Sequence, residues 1–198
     1  MIERAKNMIL TPKAEWDVVT LENSTTAEIY KGYIVPLAAL GPVAMFIGWS
    51  LVGVSVPFIG TTRISILTGF SMALVSYVFA LVGVFLIALL INALAPSFGG
   101  EKNQTQALKV AAYSYTPAWV AGVLHILPAL GVLVILAGLY SLYVLYLGLP
   151  ILMKAPKEKA AGYTIAVIIC VVVLSVIFGS LTNAVSGFGF AARHVPVS

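Results

Sequence analysis

Charge is what this sequence has least of. Only 9% of its 198 residues are Asp, Glu, Lys or Arg, 61% are hydrophobic, and the mean hydropathy is +1.05. Soluble domains carry about a quarter charged residues, so the chain belongs in a membrane. Eleven basic residues scattered along a greasy chain cannot build the dense basic face that nucleic acid requires, which excludes that partner. A single cysteine, Cys170, excludes an internal disulfide and a thiolate-based zinc site. With two histidines, one aspartate (Asp17) and six glutamates, little is left for acid–base chemistry.

Catalytic and cofactor signatures are missing as well. An intramembrane aspartyl protease needs two aspartates. Ser186-Gly187 with His125 is the only conceivable Ser/His pair, and it lacks the preceding glycine of a nucleophile elbow. There is no phosphate-cradling loop, HExxH helix or calcium loop, and Gly187-Phe-Gly189 is too short for a nucleotide fingerprint. We therefore expect no enzyme activity, no cofactor and no metal.

What remains is apolar sequence in long runs. After Lys31 the charge-free stretches are 32–62, 64–100, 110–153 and 160–192. A crossing needs roughly 20 residues. The third stretch, as one straight helix, would measure ~66 Å, about twice the hydrocarbon thickness, so it must fold back, most naturally at Pro128 to Gly131. The fold expected is an all-α membrane protein, a five-helix transmembrane bundle over 33–186. Its spans run about Tyr33 to Val56, Leu67 to Leu94, Gln106 to Leu127, Leu130 to Met153 and Tyr163 to Val185. A short external tail, 187–198, follows.

The positive-inside rule tests that count. With residues 1–32 in the cytoplasm, nine basic residues fall inside (Arg4, Lys6, Lys13, Lys31, Lys102, Lys109, Lys154, Lys157, Lys159) and two outside (Arg63, Arg193). Reading 110–153 as a single crossing gives seven against four. The Lys154-to-Lys159 turn is then a cytoplasmic topology determinant that also meets anionic lipid headgroups. In the leader, Met1, Ile2, Ala5, Met8 and Ile9 recur at helical spacing with Arg4, Lys6 and Asn7 turned away. This is the pattern of an amphipathic helix on the membrane surface. Thr11-Pro12 suits a second helix start, and Thr25 with Glu28 has capping-box spacing before the first span.

Apart from Lys109 at the cytoplasmic start of the third, no Asp, Glu, Lys or Arg lies within a span, which argues against an ion-coupled transporter. His125, near the outer end of the third span, reads as interfacial or bonded to a nearby carbonyl. Small residues four apart recur as Ala44/Gly48, Gly69/Ala73, Ala118/Gly122 and Ser175/Gly179, and such pairs let helices approach closely. Tyr140, Tyr143 and Tyr146 lie three apart on the fourth span. Buried, their hydroxyls would seek Ser114, Thr116 or a carbonyl freed by Pro117, forming a polar seam between the third and fourth helices.

Tyr113-Ser-Tyr115-Thr116-Pro117, followed by Gly122, Pro128 and then Tyr143-Val-Leu-Tyr146-Leu-Gly148-Leu-Pro150, resembles the Yip1 domain family of multispanning membrane proteins. The leader Ile9-Leu10-Thr11-Pro12-Lys13-Ala-Glu15-Trp16 is similar to the start of its prokaryotic members. The resemblance covers about Ile2 to Ala184 and implies five spans with a cytoplasmic N-terminus. Eukaryotic relatives bind prenylated small GTPases through a longer cytosolic N-terminal region. Here only about thirty residues precede the first span, which points instead to a bacterial inner-membrane member. The function expected is helix-mediated assembly, as a homo-oligomer or as a scaffold for other membrane proteins or lipids. The alternative is a small channel or carrier for a neutral solute, lined by Tyr140, Tyr143, Tyr146, Thr116 and His125.

Overall fold

The computed structural model describes residues 1–56, 60–127 and 130–191. Two short helices open the chain, α1 (Ile2–Leu10) and α2 (Pro12–Thr20), with Pro12 at the helix start where its missing N–H costs nothing. The capping box then forms in full. Glu28 N–H donates to the Thr25 hydroxyl at 3.3 Å, and Thr25 N–H donates to the Glu28 carboxylate at 2.8 Å. From it runs the long helix α3 (Thr26–Val52), which starts about two turns before the expected Tyr33 and is widened to π geometry at Tyr30–Ile34 and Ile47–Val52.

Strands β1 (Val54–Val56) and β2 (Gly60–Thr62) pair antiparallel, Val54 opposite Thr62, a small departure from the all-helical expectation. Next come α4 (Ile66–Leu94), started by the Ser65 cap, and a 3₁₀ turn, Ala95–Phe98, that ends at Gly99 with φ +75°. The third apolar segment is broken into α5 (Gln104–Ser114), α6 (Thr116–Ala121) and a 3₁₀ stretch Gly122–Ile126. Helices α7 (Gly131–Leu152) and α8 (Lys157–Ala191) follow. Pro128 and residues 192–198 lie outside the described residues.

Four of these elements are long and apolar enough to cross a membrane: Thr26–Val52, Ile66–Phe98, Gly131–Leu152 and Lys157–Thr182. The broken segment 104–126 does not qualify as one helix, yet its course is set by α3 alongside it. Thr116 meets Tyr33, Gly122 meets Gly41, and the His125 carbonyl meets Gly48. Residue numbers rise together along both, so the two run parallel. Helix α4 runs against them, joined through Tyr30 to the Leu81 carbonyl and Tyr77 to the Val35 carbonyl. Helix α8 runs against α4, with Tyr163 donating to the Ile91 carbonyl and Phe178 stacked on Phe79 at 4.8 Å.

The N-terminal pair packs one face onto this bundle and leaves the other exposed, Ile2 and Leu10 included. Met8, Trp16 and Val19 are 0% exposed, α1 packing against the third segment and α2 against α7. The outward apolar faces belong instead to α4, α7 and α8, where residues such as Phe70, Leu139 and Val176 are more than half exposed. Oil is the solvent that such faces require.

Candidate functional site in the core

Pro117 organises the centre. It has no N–H to offer the Tyr113 carbonyl, and the Thr116 hydroxyl donates there instead at 2.7 Å. Having spent its proton, Thr116 Oγ1 accepts from the Tyr33 hydroxyl at 2.7 Å. The Tyr33 ring meets the Tyr113 ring edge-on at 4.7 Å, and Thr116 is 0% exposed. One residue on, Ala118 N–H donates to Ser141 Oγ at 3.2 Å, and Ser141 donates to the Ala137 carbonyl. The kink thus ties the third segment to α3 on one side and to α7 on the other.

Two glycines permit close approach. A Cβ at Gly122 would stand 2.9 Å from the Gly41 Cα, so these backbones cross in contact. A Cβ at Gly148 would stand 2.6 Å from the Trp16 ring. Trp16 also donates its indole N–H to the Val144 carbonyl at 3.1 Å, which gives a buried indole the partner it needs. Pro150, two residues further along α7, lies inside that helix next to the fully buried Leu149.

The tyrosine triad does not converge. Tyr140 donates to the Ile9 carbonyl at 2.8 Å, reaching α1 rather than Ser114 or Thr116. Tyr143 and Tyr146 point outward, 43% and 41% exposed. The Tyr140 and Tyr143 rings lie 5.7 Å apart, and the bond that joins the third segment to α7 is the Ala118–Ser141 link. His125 Nδ1 bonds to the Gly122 carbonyl at 2.9 Å.

Sequence reasoning missed a charge cluster. Arg4 was expected on the polar face of a surface helix, turned away from its apolar residues. Instead it grips the Glu22 carboxylate with both Nη atoms, one at 2.9 Å, lies 3.4 Å from Glu15 through Nε, and sits 5.1 Å above the Tyr113 ring. Asn7 also faces inward and donates to Glu15 at 2.9 Å. Lys109 donates to the Val19 and Glu22 carbonyls at 3.2 and 2.5 Å, closing the C-terminal end of α2. Charges this sheltered persist only when paired, and together they clamp the α1–α2 pair to Tyr113. Arginine and glutamate eighteen positions apart carry no local signal of this.

Among the described residues no group of three His, Cys, Asp or Glu side chains could hold a metal ion. The polar side chains of the core mostly join helix to helix, and many reach a backbone carbonyl.

The comparisons with known proteins agree with this architecture of apolar helices. The chain is 26% identical over 183 residues to the inner membrane protein YohC of Escherichia coli (strain K12), covering 90% of this chain and 93% of the relative. The protein of the same name from Escherichia coli O6:H1 matches to the same extent. No solved structure matches. The Yip1 domain model matches residues 6–178, from within α1 to the stacked Phe178 of α8, and over that length the chain belongs to the Yip1 domain family.

Proposed function

We propose that this Yip1-domain protein resides in the bacterial inner membrane, crosses it five times from a cytoplasmic N-terminus, and acts without catalysis by assembling through its helices. The product is a homo-oligomer or a scaffold for other membrane proteins or lipids. The parallel course of 104–126 beside α3 supports a fifth crossing in addition to the four long helices. The distribution of lysines and arginines supports its direction. The name of the Escherichia coli relative supports the membrane.

One observation carries the assembly reading. Of the four small-residue pairs, three are spent inside the chain, where Gly48 meets His125, Gly69 meets Ser50, and Gly122 meets Gly41. The fourth, Ser175/Gly179, is not: a Cβ at Gly179 would meet nothing within 4 Å, and Val176 and Ile177 beside it are exposed. A small-residue notch on an outer face is what lets a second helix approach closely in lipid.

The test is the mass of the purified particle, detergent subtracted. A multiple of 20.9 kDa that falls to one chain on Gly179→Leu supports the reading. A single chain at every concentration, or a multimer indifferent to Gly179→Leu, rejects assembly through this face. Reporters fused at Lys157 and Ser198 check the crossings separately, and five crossings put them in opposite compartments.

A further inference from the structure

Helix α8 rests on α4 and α7 and hardly touches the third segment. The gap left behind it is a cavity of two lobes that share Ile87, Tyr115 and Val171 as walls. One lobe, about 260 Å³, lies between Ser114, Ser141 and Ile168; the other, about 310 Å³, lies between Gly83, Trp119 and Phe178. That is the scale of small-molecule sites, which are mostly apolar with a few placed polar groups. No acidic, basic or histidine side chain lines either lobe.

The polar group here is unsatisfied. Ser114 is 2% exposed and lines the first lobe, and its hydroxyl has no hydrogen-bond partner. Ser141, in the same lobe, is fully engaged: it accepts from Ala118 N–H and donates to the Ala137 carbonyl. An unpaired donor in oil is costly, because no water is present to serve it.

Depth narrows what could serve it. Ser141 lies midway along α7, ~15 Å from either end at 1.5 Å per residue. Phospholipid headgroups and their ester carbonyls stay near the ends of such a helix, and an acyl tail carries no acceptor. Val172, a wall of the first lobe, is 55% exposed, so the lobe lies next to surrounding lipid.

We propose that this cavity binds a neutral lipophile bearing a carbonyl or ether oxygen, admitted sideways from the bilayer between α7 and α8, with the Ser114 hydroxyl donating to that oxygen. The Ser114 lobe includes neither Ser175 nor Gly179, and Ser175 lines only the second lobe, so binding at Ser114 stands whether or not the chain oligomerises through that notch.

Benzophenone is a direct probe, being neutral and apolar, with one carbonyl and the ability to label nearby C–H bonds under light. The full chain in phosphatidylcholine liposomes is irradiated with it and the labelled positions are mapped by mass spectrometry. Label should concentrate on 111–118 and 168–172 over the exposed Leu136 and Val176. Ser114→Ala should weaken the cavity label about fivefold, the worth of one neutral hydrogen bond, while leaving the thermal midpoint equal or higher. Dibenzyl ketone should compete, and diphenylmethane, of similar shape without the carbonyl, should not. Ser114→Leu, which fills the lobe, should abolish the label; should that variant misfold, Ser114→Ala decides. Even labelling of the lipid-facing surface overturns the proposal. So does cavity label that ignores Ser114→Ala and yields equally to diphenylmethane, which marks an acyl-chain groove.

Discussion

The Trp16 indole occupies the space a side chain at Gly148 would need, and its N–H is bonded to the Val144 carbonyl one turn away. A residue of the leader is thereby built into the wall of α7, with no exposed surface of its own. Gly148→Ala puts a methyl carbon 2.6 Å from that ring, and the ring is too rigid to step aside. We expect a loss of about 1–3 kcal/mol, the usual cost of overpacking. The unfolding midpoint in detergent should fall, with a red shift of tryptophan emission as Trp16 leaves its slot. Unchanged emission would place Trp16 elsewhere.

Tyr33, Thr116 and the Tyr113 carbonyl form a relay in which the middle member both accepts and donates. Tyr33→Phe removes one hydrogen bond and should cost about 1 kcal/mol. Thr116→Val orphans a hydroxyl and a carbonyl together and should cost about 2–4 kcal/mol. In the double variant the Tyr33 hydroxyl is no longer stranded, so the two losses should sum to more than the pair. Denaturation midpoints of the four proteins measure this, and strict additivity would break the relay.

Arg4 is held by Glu22 and Glu15 while Lys109 closes the end of α2. Arg4→Ala leaves two sheltered carboxylates facing each other, at a cost of about 2 kcal/mol, between exposed and fully buried pairs. The readout is proteolysis of residues 1–25, which should become cleavable while the spans stay protected.

Gly122→Leu and Gly179→Leu make the same chemical change with opposite consequences. The first drives a branched side chain into the Gly41 backbone and should reduce folded yield severely; the second meets open space and should fold normally. Gel-filtration recovery of the two variants checks the contrast, and equal recovery would remove Gly122 from the crossing.

Four long apolar helices were legible because charge-free runs longer than a bilayer have few other uses, and the break within 110–153 followed from length alone. Pro117 was legible as a kink, but the Tyr33 hydroxyl that bonds the neighbouring Thr116 from 83 positions away was not. The leader was misplaced for a physical reason: an amphipathic helix has the same periodicity whether its apolar face meets lipid or protein. The tyrosine seam failed on geometry. Residues three apart drift by about 60° per step around a helix of 3.6 residues per turn, so Tyr140 can face α1 while Tyr146 faces outward. The orphaned Ser114 hydroxyl was legible only as a serine.

The bond from Trp16 to Val144 joins positions 128 residues apart. At ribosomal speeds of about 5–20 residues per second, the leader emerges roughly 6–25 s before its docking wall exists. For that interval the Trp16 indole has no seat in the protein. A chaperone or the bilayer surface must shelter it until α7 is made, so biogenesis of this protein closes at the end that was made first.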